Sequence, residues 1–197
     1  MKNIHIFSEK RRSLMKASAS TLLLPSLILS AAPNKYGILG QKAPELKLSN
    51  WIDKDGQTGS FSLSEHLGKF IFIELWQAWC PGCHKHGFPS LKKITDALVD
   101  NPLFIPIAIQ TTFEGYDVNT PDKMREIQLR YDLPIIMGHD AGNEDKNSNP
   151  VTMQEYRSGG TPWAILISPT GIVLHNDFGV NPQGVINYIN RETKKRN

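Results

Sequence analysis

The sequence predicts an α/β fold in which a central mixed β-sheet is flanked by helices on both faces. Three observations carry this. Phe70 to Trp76, Phe-Ile-Phe-Ile-Glu-Leu-Trp, is a nearly unbroken apolar run, the pattern of a strand buried on both faces. A second such run occupies residues 103–109; between the two, Ser90-Leu91-Lys92-Lys93-Ile94-Thr95-Asp96-Ala97-Leu98-Val99 repeats its apolar positions three and four apart, as one face of a helix does. Finally, Trp163-Ala164-Ile165-Leu166-Ile167 runs through the turn residues Ser168-Pro169-Thr170-Gly171 into residues 172–175, a hairpin.

Taken in order, the chain opens on a leader. Lys10-Arg11-Arg12-Ser13-Leu14-Met15-Lys16 is basic, and residues 17–32 are small and apolar but too few to span a bilayer comfortably. Residues 1–32 therefore read as an export signal, and residues 33–197 as one domain large enough to bury a core. The adjacent arginines resemble a twin-arginine signal, with a Sec-type signal as the alternative. Ser30-Ala31-Ala32 offers small residues for cleavage, but Pro33 behind them is unfavourable, so an uncleaved leader acting as an anchor stays open. The net charge of +3 belongs to this leader: 17 Lys/Arg stand against 18 Asp/Glu from Pro33 onward. A domain without basic excess has nothing to neutralise phosphates, so nucleic acid is not an expected partner.

Residues 40–57 alternate apolar and polar positions up to Asp55-Gly56 and predict an N-terminal β-hairpin. Ser62 to Gly68 predicts a single helical turn. Residues 124–131 predict a helix capped by Thr120-Pro121-Asp122, and 134–137 a short strand. Residues 138–153 are polar and without a regular pattern, and are expected to form a long loop, either a lid or partner-facing surface or a tolerated insertion. A helix over residues 183–193 closes the chain.

The only two cysteines follow the first buried strand, in Trp79-Cys80-Pro81-Gly82-Cys83. A strand before them and a helical pattern after them put both sulfurs at a helix N-terminus, where unpaired N–H groups and the helix dipole favour a thiolate. Cys80, at the mouth of the helix, is the expected nucleophile, and Cys83, one turn inside, the resolving thiol. Pro81 suits a first helical turn, and Gly82 removes bulk between the sulfurs. Glu74 is the one charge in the buried run, and is costly there unless protonated, paired or used.

Trp79-Cys80-Pro81-Gly82-Cys83 after the run Gly68 to Trp76 resembles the thioredoxin superfamily, and within it the exported TlpA-like thiol:disulfide oxidoreductases, from about Gly40 to the C-terminus. The resemblance implies the thioredoxin-like fold with its N-terminal β-hairpin. It implies that Gly159-Gly160-Thr161-Pro162 is a cis-proline loop facing the cysteines, with the Thr161 backbone open to an extended substrate segment. Glu74, six residues before Cys80, matches a buried acid that exchanges a proton with the second cysteine; the alternative is a carboxylate that escapes to water or a cation. Trp79, Pro81, Thr161 and Pro162 are the implied substrate contacts. Family members commonly carry a proline five residues after the second cysteine. Here Pro89 stands six after it, which with Gly87 predicts a bulge or broken turn between Cys83 and Pro89.

The same residues admit rival chemistries. Cys80 to His84 satisfies the C-x-x-C-H haem-attachment pattern, but a buried strand before it and a cis-proline-like loop after it are not the setting of a haem-enclosing chain. Metal delivery, with His84, His86 or His139 joining the thiolates around a soft ion such as Cu(I), is the alternative function; otherwise His84 and His86 are exposed helix residues. A structural disulfide here would close too small a ring to add much stability. Thioredoxin-fold peroxidases use Pro-x-x-x-Thr/Ser-x-x-Cys, and Gln77 and Cys80 occupy the positions where the hydroxyl would stand. The sequence thus points to an exported, periplasmic thiol:disulfide oxidoreductase needing no cofactor. It would reduce client proteins with disulfides and draw electrons from a membrane thiol donor.

Overall fold

The computed structural model describes residues 35–48, 50–143 and 148–196; the predicted leader lies outside them. In chain order the elements are β1 (Asn50–Ile52), a 3-10 turn (Ser64–His66), β2 (Phe70–Trp76), a π-helical turn (Cys83–Gly87), α1 (Phe88–Ala97), β3 (Phe104–Thr112), α2 (Lys123–Tyr131), β4 (Ile136–Ala141), α3 (Val151–Tyr156), β5 (Trp163–Ile167), β6 (Val173–Phe178) and α4 (Pro182–Lys194). The strands form one mixed sheet in the order β1-β4-β3-β2-β5-β6. β2, β3 and β4 run parallel, and β1, β5 and β6 pair antiparallel with their neighbours.

All seven residues of β2 are buried, because alternate side chains feed two cores. Phe70, Phe72 and Trp76 join Ala108, Met137 and Leu166 beneath α1, α2 and α4. Ile71, Ile73 and Leu75 point the other way, onto Leu46, Trp51, Phe61, Leu63 and Tyr156. The two faces are therefore covered differently. Three helices cover the first, whereas the six-residue α3 supplies only part of the second and the chain before β2 fills the rest.

The predicted N-terminal hairpin is short. Its first arm is β1, the sheet edge; Asp53 Oδ1 accepts the N–H groups of Asp55 and Gln57, each at 2.9 Å, and turns the chain so that Thr58 bridges back to Ile52. The expected loop over residues 138–153 is corrected at both ends. Gly138 to Ala141 continue β4, where a side chain on Gly138 would meet the Trp51 ring at 2.7 Å. At the far end Asp140 Oδ2 accepts the Thr152 N–H at 2.7 Å and fixes the start of α3. The polarity that suggests a loop comes from a strand paired on both sides by β1 and β3 and from a carboxylate that holds the start of α3. The expected cap of α2 is also absent, since Asp122 makes no side-chain capping bond.

Phe72 is fully buried at the centre of the helix-covered face. Phe72→Ala should lower unfolding free energy by about 3–5 kcal/mol, read by urea titration with an unchanged m-value.

Candidate active site

β2 ends at Trp76, and the next residues turn sharply into a helix. The Cys80 N–H bonds the Gln77 carbonyl at 3.2 Å, and the N–H and carbonyl of Ala78 are both held by side chains. Asn119 Oδ1 accepts the Ala78 N–H at 2.7 Å, and His84 Nε2 lies 2.6 Å from the Ala78 carbonyl. Because a carbonyl only accepts, Nε2 carries the proton, and in the neutral ring Nδ1 accepts from the Tyr131 hydroxyl at 2.6 Å. Asn119 is itself buried, its amide donating to the carbonyls of Glu114 and Gly115. Trp79, at the corner so fixed, is 47% exposed.

Cys80 and Cys83 are both free thiols and both buried, Cys83 completely and Cys80 with 6% of its surface open. The Cys83 N–H donates to Cys80 Sγ at 3.2 Å, and the Cys80 thiol faces the Thr161 carbonyl at 3.6 Å. Burial, followed by the hydrogen bond with Cys80, pushes the Cys83 thiol well up, so it keeps its proton. The peptide bond before Pro162 is cis. The Pro162 ring lies over the helix start: a Cβ on Gly82 would meet Pro162 Cδ at 3.0 Å and Cys80 Sγ only at 3.9 Å. Gly82 is therefore small chiefly for the proline, where the sequence points to bulk removed from between the sulfurs.

Glu74 is 1% exposed, and its Oε1 has no hydrogen-bond partner. Burial, with the charge of Cys80 second, raises it well above the ordinary carboxylate value. The alternative of escape to water or a cation does not hold. The predicted irregularity after Cys83 is a π-turn, in which the Phe88 N–H bonds the Cys83 carbonyl five residues back.

The predicted site residues thus converge: Glu74, Cys80, Cys83, Thr161 and Pro162 adjoin one another, with Trp79 and Pro81 on the exposed rim. Sequence reasoning missed Asn119 and Tyr131, which lie on later segments with no motif around them. For His84 it offered a metal ligand or an exposed helix residue, whereas His84 is half-buried with both ring nitrogens engaged. Among the described residues no three His, Cys, Asp or Glu side chains gather as a metal site, and His84, next to Cys83 in the chain, turns its ring nitrogens to Tyr131 and Ala78.

A model of the AhpC/TSA family matches residues 39–189. No curated protein matches the sequence. Among solved structures, a thioredoxin-like superfamily protein shares 29% identity, with a TM-score of 0.67 over 77% of this chain and 96% of its own. A thiol-disulfide isomerase from Corynebacterium glutamicum shares 28% identity, with a TM-score of 0.63 over 75% and 96%. A protein described as a putative thiol:disulfide interchange protein DsbE, from Chlorobium tepidum, shares the fold at 19% identity, with a TM-score of 0.57 over 79% and 97%.

The raised Glu74 fixes the sign of one pH effect. The folded chain holds a proton that the unfolded chain releases above its ordinary value of 4.5, so stability falls as pH rises past that value. Glu74→Gln removes this loss. Its Tm should exceed that of the wild type near neutral and alkaline pH and converge with it near pH ~4, read by thermal melts across pH.

Proposed function

This chain belongs to the AhpC/TSA family and is a thiol-disulfide oxidoreductase of thioredoxin fold; we propose that Cys80 and Cys83 carry its chemistry, and that it works outside the cytoplasm to reduce disulfides in partner proteins. The observation that carries this is the placement of Cys80 at the helix mouth against the Thr161 carbonyl, with Cys83 fully buried one turn inside.

Cys80 Sγ attacks a client disulfide. A Cys80–client S–S bond forms, the client's own S–S bond breaks, and one client sulfur leaves with the electron pair and takes up a proton. Cys83 then attacks Cys80 Sγ and releases the second client thiol. Two electrons have passed to the client, and the Cys80–Cys83 pair is left as a disulfide. A thiol donor must return them, and the resemblance to TlpA-like proteins favours one borne on a membrane. Because burial holds Cys83 protonated, its attack needs a base; Glu74, buried and without an Oε1 partner, takes that proton when it is ionised, and the same burial that raises it makes its carboxylate a stronger acceptor. Trp79 and Pro81 offer exposed apolar surface beside Cys80, while Thr161 and Pro162 line the opposite side, a setting for an extended, disulfide-bearing client segment.

Cys83→Ser should trap clients as mixed disulfides on Cys80, seen as adducts on non-reducing gels that vanish with reductant. Cys80→Ser should form none and lose disulfide-reducing activity. Adducts that persist in Cys80→Ser would contradict the assignment.

A further inference from the structure

Gly87 has no conformational need to be glycine. Its φ of −59° and ψ of −64° are helical, and glycine in a helix costs about 1 kcal/mol relative to alanine. What it supplies is space. A Cβ at position 87 would stand 2.5 Å from Glu74 Oε1, 3.5 Å from Glu74 Cδ and 3.1 Å from Pro162 Cβ. Atoms cannot stay at 2.5 Å, so the Glu74 carboxyl, the end of a buried side chain, must shift from its place.

The π-turn explains how a glycine comes to lie there. Residues five apart on an α-helix point about 140° away from each other. A turn closed by an i→i+5 bond stacks them instead. Gly82 and Gly87 are five apart across this turn, and both lie against Pro162, at its Cδ and its Cβ respectively. The residue that lengthens the spacing from Cys83 to Pro89 therefore aligns two side-chain-free positions under one proline ring, the second of them also over the buried acid.

We propose that Gly87 is a positioning residue for Glu74: carried inward by the π-turn, its bare backbone makes the seat in which the Glu74 carboxyl rests between the Pro162 ring and the active-site helix. This rests on Glu74 being the group that takes the Cys83 proton. Filling the seat pushes the carboxyl away, changing how readily it accepts the proton that Cys83 must lose before the Cys83–Cys80 S–S bond can form.

The test mixes the reduced full-length protein with a chromogenic aromatic disulfide. One thiol is released on attack by Cys80 and a second on resolution by Cys83. The second rate is followed against pH in wild type, Glu74→Gln, Glu74→Asp, Gly87→Ala and the Gly87→Ala/Glu74→Asp double variant. Loss of the base in Glu74→Gln should slow the second release about 100-fold and remove its carboxyl-dependent inflection. Gly87→Ala should slow it about tenfold and move that inflection, whereas adding Gly87→Ala to the shorter acid of Glu74→Asp should change neither. A Gly87→Ala profile identical to wild type, or one lowered equally at every pH and not relieved by the shorter acid, overturns the proposal while leaving Glu74 as the base. If Glu74→Gln itself leaves the profile unchanged, the role of Glu74 fails and that of Gly87 with it. Should Gly87→Ala not fold, the Glu74→Asp background decides: a folded double variant with the profile of Glu74→Asp supports the seat, and a double variant that also fails to fold shows the clash lies elsewhere and overturns it.

Discussion

The antiparallel pairing of β2 with β5, with Leu75 opposite Trp163, sets the geometry of everything at the site. It means that the chain leaving β2 and the chain entering β5 meet at the same end of the sheet. One carries Cys80 and the other the Thr161–Pro162 peptide, so a sulfur and a carbonyl 81 residues apart come within 3.6 Å. The parallel neighbour β3 ends at that same edge, and the segment after it brings Asn119 onto the Ala78 N–H. A slip of one residue between β2 and β5 would turn Glu74 to the opposite core and remove it from the helix that holds the cysteines.

Around that edge, polar groups are treated in two opposite ways. The N–H and carbonyl of Ala78 are both satisfied, by Asn119 and by a histidine whose other nitrogen is held by Tyr131, and this rigidity keeps Trp79 at the rim. Further stiffness comes from rings in series, Trp76 on Phe88 and Phe88 on Tyr131, with centroids 5.3 and 4.6 Å apart. Close by, Glu74 Oε1 is left buried without a partner, as are Trp76 Nε1 and both amide atoms of Gln110, at a cost in stability. In the proposed mechanism the ordered part is the client-facing rim and the unsatisfied group is the proton acceptor, a division suited to thiol exchange.

Much of this was legible in the sequence because its signals were local. Seven apolar or buried residues in β2, a Cys-Pro-Gly-Cys motif shortly behind them and a Gly-Gly-Thr-Pro before β5 each carry their meaning within a few positions. The added residue before Pro89 even announced the irregular helix. What escaped were contacts closed only by the fold. Asn119 and Tyr131 lie 41 and 47 residues from their partners Ala78 and His84, and nothing near them marks their use. Residues 138–141 misled because Gly-His-Asp-Ala lacks strand character; the ring of Trp51, from a strand much earlier in the chain, is what excludes a side chain at Gly138.

Reduction of clients by this route requires Cys80 and Cys83 to form a reversible pair poised to give electrons away. The most direct measurement is the reduction potential of that pair in the intact protein, equilibrated in defined thiol buffers and read by alkylation and mass. A value close to that of thioredoxin, about −270 mV, is predicted; a value near the strong oxidants, about −120 mV, or a pair that never cycles between dithiol and disulfide, would contradict it.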